Sequence, residues 1–167
     1  FNYSEKDVQT PLGIAKTNLA EDEIVVASIL RAGLPLHNGL LNYFDRSENA
    51  FISAYRYHPN NNTEFEIKVE YFASPSIEGK TLILADPMLA TGRSLVNVYQ
   101  GILKYGVPEK IHLVCAIGSE EGVSFIQDYF PENTELWIAD IDKQLNNKGY
   151  IVPGLGDAGD LSFGSKL

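Results

Sequence analysis

Apolar and polar positions along this chain switch between two spacings, and each switch marks an element. Residues 23–30 (Glu-Ile-Val-Val-Ala-Ser-Ile-Leu) form a nearly continuous, β-branched apolar run, which predicts a buried strand. Arg31-Ala32-Gly33 turns the chain, and Pro35 suits the first turn of a helix carrying Leu36, Leu40, Leu41 and Phe44. Residues 51–57 read as a second strand, and Asn60-Asn61-Asn62 as a turn or loop. After it, Phe65, Ile67, Val69 and Tyr71 alternate with Glu64, Glu66, Lys68 and Glu70. Strict period-two alternation predicts a half-exposed strand, paired in a hairpin flap with the strand before it. Residues 74–80, with Pro75 and Gly79, are a loop. Then come a strand at 81–85, a helix at 94–105, a strand at 111–117, a helix at 120–129 and a strand at 135–139. Leu95, Val98, Tyr99 and Ile102 give the first of these helices an apolar face, and Gly106 and Pro108 stop it. The alternation predicts an α/β fold: a mainly parallel sheet flanked by helices, with the hairpin flap at one side.

With 167 residues, one domain spanning 1–167 is expected, large enough to bury a core. The net charge of −9 argues against a nucleic-acid or anionic-membrane surface, both of which need basic patches. No apolar run approaches the roughly 18 residues that a membrane span requires. The single cysteine, Cys115, lies in an apolar strand and has no partner for an internal disulfide, which suits the cytoplasm. The chain opens at Phe1 without a methionine, so an N-terminal piece is expected to be missing.

Two segments carry chemistry. Asp86-Pro87-Met88-Leu89-Ala90-Thr91-Gly92-Arg93-Ser94 joins a strand to a helix. An acid at the strand end can accept from ribose hydroxyls, and the helix N-terminus offers unpaired N–H groups and a positive dipole end to a phosphate. The second segment, Gly149-Tyr150-Ile151-Val152-Pro153-Gly154-Leu155-Gly156-Asp157-Ala158-Gly159-Asp160, is glycine-dense and could bring backbone against a flat ligand. Ligands of parallel sheets bind beyond the carboxyl ends of the strands, where Arg31 and Asp86 both fall.

Together these segments closely resemble the uracil phosphoribosyltransferases, over about residues 27–163. The resemblance implies a type I phosphoribosyltransferase fold with a C-terminal base-binding hood loop. It implies transfer of a 5-phosphoribosyl group from phosphoribosyl diphosphate to N1 of uracil, giving UMP. Through the family's pattern, Arg31, Arg56, Asp86, Pro87, Met88, Leu89, Ala90, Thr91, Gly92, Arg93, Ser94 and Asp157 are candidates for binding phosphoribosyl diphosphate. Ile151, Gly156, Asp157 and Ala158 are candidates for binding uracil, with main-chain groups of Ile151, Gly156 and Ala158 reading its edge. Asp157 and Arg31 are the candidate catalytic residues. The expected cofactor is Mg²⁺ held by the diphosphate and linked to Asp157 through water, with no protein ligand assigned. A homodimer or larger homo-oligomer is implied, and GTP is a candidate effector because some relatives respond to it. Such relatives usually carry a further helical arm before the first residue seen here.

Arg93 departs from the Gly-Gly-Ser or Gly-Gly-Thr common in the family at residues 92–94. Two other readings keep the fold: a uracil- or UMP-sensing regulator, or an idle subunit whose phosphate loop Arg93 has spoiled. The intact Asp86, Thr91, Arg31 and Asp157 favour catalysis. Asp160 reads equally as a loop brace or a ligand contact. His37, His58 and His112 show no ligand spacing. Trp137 reads as core.

Overall fold

The computed structural model describes residues 1–57 and 66–165, with the backbone alone at 54–57 and 66–70. The continuous apolar runs become the central strands. β3 (Ile24–Leu30) and β6 (Thr81–Ala85) pair in parallel, Ser28 opposite Ala85, and all of β6 is buried. β4 (Glu48–Tyr57) flanks β3 in parallel, and β5 (Glu66–Ala73) adds antiparallel to β4, giving the expected flap. On the other side, β8 (Lys110–Ser119) pairs with β6, and β9 (Glu135–Asp142) closes the parallel edge. A two-residue strand, β7 (Met88–Leu89), resumes pairing with β8 where β6 has stopped. Three helices connect these strands: α1 (Gly33–Leu41), α2 (Arg93–Ile102) and α3 (Glu120–Gln127). In α2, Leu95, Val98, Tyr99 and Ile102 are all buried, as their spacing predicts. The helix then tightens into a 3-10 turn at Leu103–Tyr105, ending at Gly106.

Other regions depart from expectation. Residues 3–20 form an antiparallel hairpin, β1 (Tyr3–Thr10) with β2 (Gly13–Ala20), that the hydrophobic pattern does not announce. Its side chains are nearly all exposed, so neither face has a core to impose alternation. Trp137 is 56% exposed, which corrects its reading as core. Period two in β9 turns Leu136 and Ile138 onto the core and Trp137 away from it, and Trp137 Nε1 donates to His112 Nδ1. In α1 the fully buried positions are Gly33 and His37; Leu36, Leu40, Leu41 and Phe44 are less covered. His37 is a core histidine whose Nε2 pairs with Asn49 Oδ1 at 2.8 Å. The late segment contains a two-residue strand, β11 (Ile151–Val152), paired with β10 (Gln144–Leu145), and a short helix, α4 (Ala158–Phe163). The expected Asn60-Asn61-Asn62 turn, Phe65 and His58 lie outside the described residues. No helix among the described residues is long and apolar enough to cross a membrane.

Candidate active site

The sheet itself presents the acid of the first segment. β6 ends at Ala85, and Asp86 N–H donates to the Val114 carbonyl of β8. Pro87 has no N–H to offer, but its carbonyl accepts from both Ala116 and Ile117. That break in the ladder leaves Asp86 partly exposed beyond the strand ends, where its Oδ1 accepts from Met88 N–H at 3.2 Å. Pro87 is buried, at a position where an unpaired carboxylate would be costly.

From Ala90 the chain turns into α2 through Gly92, which has φ +75°. A Cβ there would meet Phe125 at 2.9 Å, Ile126 at 3.0 Å and the Gly122 carbonyl at 3.1 Å. Glycine is therefore required twice, by backbone and by space. Arg93 is the first helical residue and is exposed, so the left-handed position falls on Gly92 and not on the arginine. α3 braces the loop from behind. Ser119 caps α3 by accepting from Gly122 N–H at 2.9 Å, and its hydroxyl donates to the Ala90 carbonyl at 2.6 Å. A Cβ on Gly122 would stand 2.3 Å from that same carbonyl. Ser119 and Gly122 support the phosphate loop without lining it. The Ser-Glu-Glu-Gly helix start was the available signal for this cap.

The second segment folds over the same end of the sheet. Gly154 (φ +51°) accepts no Cβ, which would stand 2.2 Å from the Ile151 carbonyl, and its N–H donates to Asp142 Oδ2 at 3.1 Å. Asp157 then caps α4, its Oδ1 accepting from Asp160 N–H at 2.9 Å. This fixes the carboxylate's rotation. The Val152–Pro153 and Leu30–Arg31 peptide bonds are cis.

A cavity of about 350 Å³ joins the two segments; Arg31, Asp86, Met88, Ala90, Ser94, Tyr150, Gly156, Asp157, Ala158 and Gly159 are among its lining residues. A smaller adjoining pocket adds Leu89, Thr91 and Gly92 beside Asp86 and Ser94. Of the predicted residues, Pro87, Arg93 and Ile151 line neither; Ile151 is buried in β11. Arg56 lies in β4 opposite Ile67 in β5, with only its backbone described. Arg31 is the one cation among the described residues lining the larger cavity, and its Nη2 pairs with Asp160 Oδ1 at 2.9 Å. Burial, reinforced by Asp86, pushes the Cys115 thiol far above its ordinary value, so it is an inert core thiol. No group of three or more metal-ligating side chains occurs among the described residues.

An acid-ended strand that turns into a helix N-terminus, with a glycine-rich segment over the carboxyl end of a mainly parallel sheet, is the architecture of the type I phosphoribosyltransferases. A solved purine phosphoribosyltransferase from Pyrococcus horikoshii shares the fold: TM-score 0.54 at 16% identity, over 72% of this chain and 78% of that one. The sequence model of the uracil phosphoribosyltransferase family matches residues 1–165, and the chain belongs to that family. A Porphyromonas gingivalis protein named uracil phosphoribosyltransferase is 51% identical over 162 residues, 97% of this chain and 74% of that protein. A solved protein from Aquifex aeolicus matches with TM-score 0.87 at 36% identity, covering 99% of this chain and 77% of that one.

Proposed function

We infer that this chain is an enzyme that transfers the 5-phosphoribosyl group of phosphoribosyl diphosphate to N1 of uracil, forming UMP and diphosphate. One observation carries the reading: the phosphate loop, Arg31 and the glycine-rich segment meet at one cavity, so both substrates have a place within bonding reach of each other. In the reaction the bond from ribose C1 to the diphosphate oxygen breaks and the bond from C1 to uracil N1 forms. The N1 proton is lost, and diphosphate departs with the electron pair of the broken bond. Holding two reactants in line and stabilising the departing charge is the enzyme's main task.

The 5′-phosphate lies against the Ala90, Thr91, Gly92 and Ser94 backbone and the Thr91 and Ser94 hydroxyls. Asp86 accepts from ribose hydroxyls, and Arg31 and Arg56 take the diphosphate. Backbone groups of Gly156 and Ala158, which line the cavity, match uracil's acceptor–donor–acceptor edge, and Ile151, buried behind them in β11, rests on the family resemblance alone. Cytosine would leave a buried polar group unpaired, which can cost a factor of about 10⁴ in specificity. The cavity's acidic lining fits a magnesium-borne substrate. Asp86 and Asp157 face a highly anionic ligand, and Arg31 is already paired with Asp160. Asp157 would hold Mg²⁺ on the diphosphate through water, and the ion, when bound, offsets the diphosphate charge.

The same reading makes residues 1–167 one domain and the protein a cytoplasmic homodimer or larger homo-oligomer. A largely exposed hairpin that presents Val8, Ile14 and Leu19 supports assembly, because an isolated two-stranded ribbon is marginal in water. Sedimentation tests the assembly, and rates with and without GTP test that effector.

The deciding assay is conversion of labelled uracil to UMP with phosphoribosyl diphosphate and magnesium, with cytosine, hypoxanthine and orotate as controls. Turnover with uracil alone is expected. Equal turnover of another base, or none in a folded protein, would overturn the reading.

A further inference from the structure

Arg31 does not reach into the cavity as a lone cation. Its Nη2 donates to Asp160 Oδ1 at 2.9 Å and to the Gly164 carbonyl at 3.1 Å, so one nitrogen of the fork is tied to both ends of α4. Its Nε is buried without a hydrogen-bond partner among the described residues. Asp160 makes a second connection: its backbone N–H donates to Asp157 Oδ1 at 2.9 Å. The same residue therefore orients the arginine through its side chain and the cavity-lining carboxylate through its backbone. Packing follows the polar chain. A Cβ on Gly159 would stand 3.8 Å from the backbone nitrogen and the Cβ of Ala32, so the first turn of α4 rests on the Arg31-Ala32 turn.

An ion pair whose side chains are 38% and 36% exposed contributes little to folding stability. It does hold a planar guanidinium in one orientation, and bidentate phosphate recognition depends on orientation. With Nη2 anchored on α4, the rest of the fork remains to meet a diphosphate oxygen.

We propose that Asp160 is a positioning residue that fixes Arg31 for the diphosphate and ties it to the Asp157 end of the base segment, so that the two halves of the site are ordered as one unit. This rests on the reading of Arg31 as a diphosphate ligand. Asp160 remains on Arg31 when substrate binds; the carboxylate is a brace, not a competitor to be displaced.

The sign of the effect tests this. Binding of phosphoribosyl diphosphate with magnesium is measured by calorimetry, and KM and kcat by initial rates, on folded Asp160→Asn, Asp160→Glu, Arg31→Gln and the Asp160→Asn/Arg31→Gln double variant. Asp160→Asn keeps the N–H to Asp157 and loses the charge. It is expected to weaken phosphoribosyl diphosphate binding about tenfold and raise KM in step, with kcat at saturation nearly unchanged. Asp160→Glu should recover part of the loss, and Asp160→Asn should add almost nothing in the Arg31→Gln background. Binding by Asp160→Asn as tight as or tighter than wild type, while Arg31→Gln is impaired, overturns the inference alone. Full additivity in the double variant does the same. An Arg31→Gln protein that binds like wild type overturns the reading of Arg31 as well.

Discussion

The phosphate loop and the base segment face one cavity but are built to different standards. The phosphate loop grows out of β6, every residue of which is buried, and enters α2 over a face of Leu95, Val98, Tyr99 and Ile102. Behind it, α3 packs so closely that neither Gly92 nor Gly122 can gain a methyl group. The base segment is half exposed, ends in a six-residue helix and is held largely by polar ties: Asp142 to Gly154, Asp157 to Asp160, and Asp160 to Arg31. On the proposed reading the difference follows from the ligands: a rigid cradle suits a phosphate, whereas the base must enter and be read by backbone that closes around it.

The largest effect expected from breaking this comparison is at Asp157. Asp157→Asn should lower kcat/KM by about 10²–10³-fold, because it removes a cavity charge while retaining a cap for α4. Initial rates beside a melting curve decide this, and wild-type turnover in the folded variant would remove Asp157 from the mechanism.

Next come two glycines that differ only in surroundings. Gly92→Ala adds a contact under about 3 Å to a left-handed backbone and should cost about 2–3 kcal/mol, with a raised KM for phosphoribosyl diphosphate. Gly156 has φ +83° but open space around it, so Gly156→Ala should cost about 1 kcal/mol and affect uracil instead. Equal stability losses would mean that the two segments are equally braced.

The next effect is on stability, and its source lies outside both segments. Burial lowers the pKa of His37 and of His112 below the ordinary value of 6.5, and neither lines the cavity. The unfolded chain therefore takes up protons before the folded one does. This stability is fully present above pH 6.5, falls as pH drops below it, and is gone once the folded pKa values are passed. The melting temperature should be flat above that point and decline below it, and His37→Gln should shallow the decline.

The smallest effect is at Arg93. Arg93→Gly should keep turnover within about twofold, since an exposed first-turn side chain contributes little to the fold. Loss of activity would show that the arginine has joined the phosphate site.

The sheet and its helices could be read from the chain because each buries one face against a core. β3 and β6 are continuous apolar runs, and α2 keeps a strict helical stripe. The strand-to-helix turn was legible through Asp86 and Gly92, whose backbone roles are local. Two features were not. The β1–β2 hairpin has no buried face, so only the Thr10-Pro11-Leu12-Gly13 turn marked it. In α4 the cap is the Asp157 pair with Asp160, three residues on, but the surrounding glycines mask it. The tie from Arg31 to Asp160 spans 129 residues of chain, and no local spacing encodes it.

The interruption between β6 and β7 also sets what changes in length the chain can tolerate. Both short strands pair with β8, with Ala85 opposite Val114 and Met88 opposite Ile117. Adding or deleting one residue between them would slip one strand's register and turn its side chains to the wrong face. Asp86 would then leave the substrate side, or Leu89 the core. This stretch can exchange residues at a fixed length but cannot lengthen or shorten, so variation in the signature must come by substitution.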